Sequence, residues 1–377
     1  MPALLTAVGL VYALSVLALA FGLVRAGRRA AAAGRRPFPD PPPRVVVAVA
    51  ARDEAEVIEV MLEALDAQDY PAGRLEVVVV DDASRDGTGK VLAGFQPHRH
   101  HFQHLRLEED PTAGSPKKRA LSAAIAASDA PLVLLTDADT APGPEWVRRM
   151  AAILSGGCPV AAGHSPSLPR RGLLGWTTGL WELGSAVLAG AFMGLGRPLH
   201  VIGRNWGLHR DLFDQAGGWR GLEGALSGDD ALLAQRLARH APSSLWGFTL
   251  ECEAQVPTRP PSDWGHFLGQ RGRHLATGKR FRPVQLAVAI FGFLVFATFW
   301  AALVTLPGEP WGNAAYRALL LKVVADTLLL GYAAVRAGEP GLVSGAPVFS
   351  LAHLLLFPVL QLTATLFPFR WKGRRGR

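Results

Sequence analysis

Charge is scarce in this chain and cysteine nearly absent. Only 19% of its 377 residues are Asp, Glu, Lys or Arg, and 49% are hydrophobic, whereas typical soluble domains carry roughly 25% charged residues. That balance excludes a disordered chain and a charged coiled coil. Cys158 and Cys252 are too few for a disulfide framework and lack metal-ligand spacing. No internal repeat with a period of about 20–50 residues is present, which excludes a solenoid. Acidic residues are the rarer sign, leaving a net charge of +8. Such an excess raises nucleic acid or anionic lipid as a partner. The positions of the charges favour the bilayer over nucleic acid. Arg25, Arg28, Arg29, Arg35 and Arg36 follow one apolar run, while Arg271, Arg273, Lys279, Arg280 and Arg282 precede another. Lys372, Arg374, Arg375 and Arg377 lie at the end. This is the juxtamembrane pattern of the positive-inside rule.

The apolar run over residues 3–24 contains no charge. As a helix it would reach about 33 Å, enough to span a bilayer. Its positive charges follow it rather than precede it, so it reads as a retained anchor (residues 1–25) with an external N-terminus. A basic, Pro-rich linker is expected over 26–44 and a folded domain over 45–282. Within that domain 173–195 reads as an interfacial helix, since Trp176 and Trp181 suit that depth. Residues 283–369 form a C-terminal membrane region with candidate spans at 284–306, 314–335 and 342–369, followed by a basic tail, 370–377. Lys322 and Asp326 are four residues apart and share a helical face, where they could pair or face protein. Three full spans would leave the tail outside, against the charge rule. Either the last stretch is re-entrant or broken at Pro358, or the rule fails here; a cytoplasmic tail is the expectation.

Between residues 45 and 162 short apolar runs alternate with helical patterns, which predicts an α/β, doubly wound parallel sheet. In such sheets ligands bind beyond the carboxyl ends of the strands. Polar clusters fall there. Ala51-Arg52-Asp53-Glu54 follows the first run, Asp81-Asp82-Ala83-Ser84 the second, and Asp137-Ala138-Asp139 the third. The first two also fit a helix start and a loop. A D-x-D pair offers hard oxygen to Mg²⁺ or Mn²⁺, ions that leave room for substrate phosphates. Ser227-Gly228-Asp229-Asp230 opens a helical pattern and locally favours a capping box, with Ser227 as N-cap. A general base is the alternative. Gln270-Arg271-Gly272-Arg273-His274 reads either as a basic membrane flank or as guanidinium groups for a diphosphate.

Taken in order, these motifs resemble the membrane-bound, inverting family 2 glycosyltransferases of GT-A (Rossmann-like) fold, over roughly residues 45–377. The family's A-R-N-E is matched by 51–54 with Asp53 for Asn, and its D-D-G-S by 81–84 with Ala83 for Gly. Asp137-Ala-Asp139 stands for D-x-D. Gly203-Arg204-Asn205-Trp206-Gly207 with Gly217-Gly218-Trp219 resembles the acceptor-side segment. Gly228-Asp229-Asp230 stands for G-E-D, and Gln270-x-x-Arg273-His274 for Q-x-x-R-W with His for Trp. The closing Arg370-Trp371-Lys372-Gly373-Arg374 is similar to a W-K-G-R tail.

The resemblance implies that Ala51, Asp53, Glu54 and Asp82 hold the nucleotide, with Glu54 and Asp82 at base and ribose. Lys117 would lie near the nucleotide, although Pro116 stands where the family has Gly. Asp137 would approach the ribose or diphosphate, and Asp139, with Asp137, would hold Mg²⁺ or Mn²⁺. Asp230, with Asp229 beside it, would be the catalytic base. Arg271 and Arg273 would offset charge on the departing nucleoside diphosphate. Asn205, Trp206, Gln270 and His274 would face the acceptor. The expected activity is metal-dependent transfer of one hexosyl group from a UDP- or GDP-sugar to a membrane-embedded lipid. The site would lie on a cytoplasmic domain of a multi-pass protein of the bacterial inner (plasma) membrane. His274 removes the ring that lines the acceptor sugar site of processive synthases, which leaves a processive polysaccharide synthase as the alternative. An inactive membrane scaffold is the alternative of another class, and it should have lost a catalytic carboxylate.

Overall fold

The computed structural model describes residues 2–110, 114–168, 172–222, 228–276, 295–296, 299–300, 310–366, 369–371 and 374–376. The expected span 284–306 lies mostly outside them. The chain forms two compact units: Phe21–Pro169 with Ser185–Pro260, and Met1–Ala20 with Arg170–Gly184 and Pro261–Arg377. These bounds differ from the expected 45–282.

The first unit is built on a seven-stranded sheet. Strands β1 (Val45–Ala51), β2 (Leu75–Asp82) and β4 (Leu132–Asp137) are runs of Val and Leu. Their side chains are buried on both faces, as central parallel strands require. With β3 (His101–Leu107), β5 (Val160–Gly163), β6 (Trp206–His209) and β7 (Gly247–Thr249), the order is β3-β2-β1-β4-β6-β5-β7. The expected parallel sheet holds except at β6, which runs antiparallel to β4 and β5. Helices α2 (Ile58–Asp66) and α5 (Trp146–Ser155) bury Leu62, Trp146, Met150 and Leu154 in one core with Val47, Val77 and Leu134. Helices α3 (Thr88–Gly94) and α4 (Pro116–Ala126) follow β2 and β3, α4 packs on β1 and β2, and the short α7 (Arg210–Gln215) follows β6.

Helix α1 runs unbroken from Pro2 to Gly34. Residues 26–34 are therefore helix, not linker. The physical reason is a stripe of small residues, Ala26, Ala30 and Ala33, which is buried while Arg25 and Arg28 stay exposed. Ala30 and Ala33 join the sheet unit's core. Helix α6 (Gly172–Gly194) crosses the same part of α1 through glycines. A side chain on Gly194 would collide with the Gly22 backbone, and one on Gly22 with the Ala191 carbonyl. Neither Cys158 nor Cys252 is in a disulfide, and burial pushes the Cys158 thiol up to about 11, which leaves it unreactive.

In the second unit the N-terminal part of α1 packs through Leu5 on Ala314 and Ala315 of a helix spanning Pro310–Arg336. A final helix, Ala346–Leu366, runs through position 358 without a break. The break at Pro358, one of the alternatives raised by the charge rule, is not present in this helix. Among the described residues three helical stretches are long and apolar enough to cross a membrane: Pro2–Gly34, Asn313–Arg336 and Pro340–Phe357. Lys322 pairs with Asp326 at 2.7 Å and is fully buried. Its other donors go to the Ser350 carbonyl (2.8 Å) and hydroxyl (2.9 Å), and the Tyr12 hydroxyl donates to Asp326 at 2.7 Å.

Candidate active site

Strand register fixes the frame of the site. Ala51 pairs with Asp81, and Ala50 with Asp137, so three strands end in one row with carboxylates beyond the sheet. The loops after β1 and β2 are stitched together there. The backbone amide of Asp53 donates to the Ser84 hydroxyl (3.0 Å) and that of Glu54 to Thr88 Oγ1 (2.8 Å). The amide of Arg85 donates to Asp53 Oδ1 (2.8 Å), and that of Ala55 to Asp86 Oδ2 (2.9 Å). Asp53, expected at the nucleotide, thus braces the neighbouring loop.

Arginines that the sequence reading did not single out neutralise the carboxylates of β2. Asp82 takes Arg52 Nη1 at 3.0 Å and Arg119 Nη2 at 2.7 Å. Asp81 takes Arg106 Nη1 at 3.0 Å and the Ser84 amide at 2.8 Å. Both carboxylates are buried, so their charge stands only because these donors accompany it. Arg52 belongs to the motif after β1, but nothing in the local sequence marks Arg106 and Arg119, which come from β3 and α4.

Lys117, at the start of α4, reaches Asp137 Oδ1 at 2.7 Å. Asp139 is partly exposed. Its pKa is raised, first by the protein packed around it and then by the charge of Asp137, with Arg204 and Lys117 opposing. Burial and the neighbouring carboxylate disfavour the ionised form of Asp139, which a cation beside the pair would favour. Among the described residues no group of three His, Cys, Asp or Glu could enclose a metal. Carboxylate oxygens are hard ligands of the kind Mg²⁺ or Mn²⁺ takes beside waters and substrate phosphates. The donor set fits the expected ion.

Asp230 lies at the start of helix α8 (Asp229–Leu237). The helix begins one residue later than the capping-box reading requires. Gly228, in a left-handed conformation with φ 76°, is its N-cap without a side-chain bond, and Ser227 lies outside the described residues. Asp230 Oδ1 accepts the Ala231 amide at 2.8 Å. Its second oxygen faces Gly203, where a Cβ would come within 3.2 Å. The next residue, Arg204, donates to the Ser165 hydroxyl at 2.6 Å and acts electrostatically on Asp139. Gly203-Arg204 therefore joins the surroundings of Asp230 and Asp139. The side chain of Asp229 lies outside the described residues.

Two expected acceptor-side residues are placed differently. Asn205 is fully buried. Its carbonyl oxygen accepts Trp146 Nε1 (2.9 Å), and its amide donates to the carbonyls of His164 (2.7 Å) and Ala254 (2.8 Å). Trp206 is buried within β6. Both belong to the frame of the sheet, because every polar group of Asn205 is spent on protein. Arg271 also leaves the nucleotide list. It and Gln270 lie on helix α9 (Trp264–Ala276) of the second unit, where Arg271 is buried against Glu182 at 3.5 Å. The backbone at Arg273 and His274 continues this helix, and their side chains lie outside the described residues.

Comparison with known proteins places the chain in a family. Residues 46–217 match the family described as Glycosyl transferase family 2, and residues 132–366 match Glycosyl transferase family group 2. The probable glycosyltransferase YdaM of Bacillus subtilis is 35% identical over 26% of this chain and 24% of its own length. Beta-monoglucosyldiacylglycerol synthase of Synechocystis is 32% identical over 29% of this chain and 22% of its own. The chain thus spans about a quarter of each of these relatives. The mannosyltransferase PcManGT of Pyrobaculum calidifontis, solved with GDP-Man and Mn²⁺, shares the fold. Its TM-score is 0.51 at 21% identity, over 93% of this chain and 99% of that one. The second match extends over more than half of the sequence, and the chain, which has the GT-A fold, belongs to Glycosyl transferase family group 2.

Proposed function

We propose that this chain transfers one sugar, with inversion, from a UDP- or GDP-sugar to a hydroxyl or phosphate of a membrane-embedded lipid. The carrying observation is the grouping of Asp137, Asp139 and Asp230 around Gly203-Arg204. The Synechocystis relative, a glycolipid synthase by name, and three apolar helices of spanning length support a lipid acceptor and a membrane protein.

In this reading Glu54 and Asp82 hold the base and ribose, with Arg52 and Arg119 fixing Asp82. Lys117 exchanges Asp137 for diphosphate oxygen when the donor enters. Asp139 and Asp137 would hold Mg²⁺ or Mn²⁺, which supplies positive charge beside the leaving diphosphate. Asp230 accepts the proton of the acceptor group. The acceptor oxygen bonds to the anomeric carbon as the bond from that carbon to the diphosphate oxygen breaks. Arg273 adds charge at the leaving group. The catalytic domain would face the cytoplasm.

The test uses purified full-length protein with UDP-glucose, UDP-GlcNAc and GDP-mannose. Vesicles carry dioleoylglycerol or undecaprenyl phosphate, with Mn²⁺, Mg²⁺ or EDTA. Asp230→Asn should lower kcat by about 10²–10⁴-fold while donor binding survives. Asp139→Asn should abolish the metal response. Release of nucleoside diphosphate that ignores both substitutions, or no release with any donor, would sink the reading.

A further inference from the structure

Lys118, in the first turn of α4, is only 2% exposed. Lysine is seldom buried this fully, and taking its ammonium out of water is costly. A methionine would fill much the same space without that cost. What the ammonium adds is a directed bond: Nζ donates to the Leu222 carbonyl at 2.7 Å.

Leu222 ends a loop, residues 217–222, that has little stiffness of its own. Gly217, Gly218 and Gly221 have φ of 74°, 53° and 74°, and glycine leaves the backbone many other conformations. The path of the loop is therefore set from outside. Trp219 meets Phe213 edge to face at 5.3 Å. Arg236 Nη1 donates to the carbonyls of Gly218 at 2.9 Å and Arg220 at 2.6 Å. Arg236 lies on α8, the helix that opens with Asp229 and Asp230. Lys117, beside Lys118, reaches Asp137 at 2.7 Å. One turn of α4 thus touches the carboxylate Asp137 with one lysine and, with the next, a loop clamped to the helix of Asp230. All of these residues belong to the first unit.

We infer that Lys118 and Arg236 are positioning residues: gripping the 217–222 loop from α4 and α8, they hold Asp230 at its working distance from the donor. This rests on the transferase reading above, in which Asp230 is the base. Both act through the loop rather than on substrate. A base misplaced by about 1 Å can cost about 10²-fold in rate. The loss is unequal, because water is free to follow a displaced base, whereas an acceptor group is fixed by the rest of its molecule. Transfer therefore falls further than hydrolysis of the donor.

The experiment measures transfer and donor hydrolysis together in the full-length protein, with the nucleotide sugars and vesicles above, because their ratio does not depend on the fraction folded. In Lys118→Met the ratio of hydrolysis to transfer should rise about ten-fold, with the KM for donor unchanged. Arg236→Gln, which loosens the loop from α8, should do the same, and it decides the matter if Lys118→Met does not fold. The double variant should raise the ratio by less than the product of the single effects, because both residues grip one loop. A parental ratio in either folded variant overturns the inference. So does a raised donor KM in Lys118→Met, which would put the lysine at the donor, or a fully multiplicative double variant. A parent inactive with every donor removes the transferase reading itself, whereas an active parent with unmoved variants removes only the roles of Lys118 and Arg236.

Discussion

Ala83 and Asp53 are the only described residues other than glycine with positive φ, 54° and 52°. They sit in the two loops that follow β1 and β2. A left-handed conformation costs an alanine roughly 1–2 kcal/mol, whereas Asn and Asp tolerate it better. The motif positions where Gly and Asn are usual in the resembling family thus have a conformational cause, and this chain departs at both. Ala83→Gly should relieve the strain, offset in part by the freedom glycine adds to the unfolded chain. A net gain of about 1 kcal/mol would raise the midpoint of thermal unfolding by roughly 2–4 °C, and an unchanged or lower midpoint would refute the strain. The carboxylates themselves were legible, since an acid ending an apolar run marks a strand terminus. Their partners were not. Arg106 and Arg119 reach Asp81 and Asp82 from elements 25 and 37 residues away, and no local pattern encodes such distance. Asn205 misled for the same reason, because its burial depends on Trp146, His164 and Ala254.

The crossing of α1 and α6 rests on backbone proximity at glycine, a device that replaces side-chain interdigitation where helices approach closely. Gly194→Ala would drive a methyl into the Gly22 backbone. It should cost about 1–3 kcal/mol, seen as a lower unfolding midpoint and faster tryptic cleavage within residues 35–44. Gly184→Ala, on the same helix with nothing near its Cβ position, should show neither effect. The extension of α1 past Arg25 was not legible, because arginines after an apolar run look like a membrane edge. Only the alanine spacing shows a second face, and it needs a partner surface to have meaning. Strand β6 was also hidden. Trp206–His209 is four residues long, and its antiparallel direction follows from pairing rather than composition.

The apolar helices find each other through a few polar groups distant in sequence: Tyr12, Lys322, Asp326 and Ser350. Helices that lie in lipid have little hydrophobic gain from meeting, and there such bonds and close packing carry association. Lys322→Met or Asp326→Leu alone leaves a buried charge and should cost about 3–5 kcal/mol, whereas the double substitution should come close to neutral. Thermal unfolding in detergent would read this; equal losses in single and double variants would show that the pair has no coupling. The spacing of four had already pointed to this pair, but not to Tyr12 or Ser350.

The placing of β6 also has a consequence for biosynthesis. β4 borders β1 on one side and β6 on the other, yet all of α5, β5 and α6 is translated between β4 and β6. At about 5–20 residues per second the nascent chain holds β4 with an open edge for several seconds. During that interval a long apolar helix emerges as well. A strand edge left open so long is a template for wrong pairing. The order of synthesis therefore makes early capture of α6, by a membrane or a chaperone, the step on which the yield of correctly closed sheet depends.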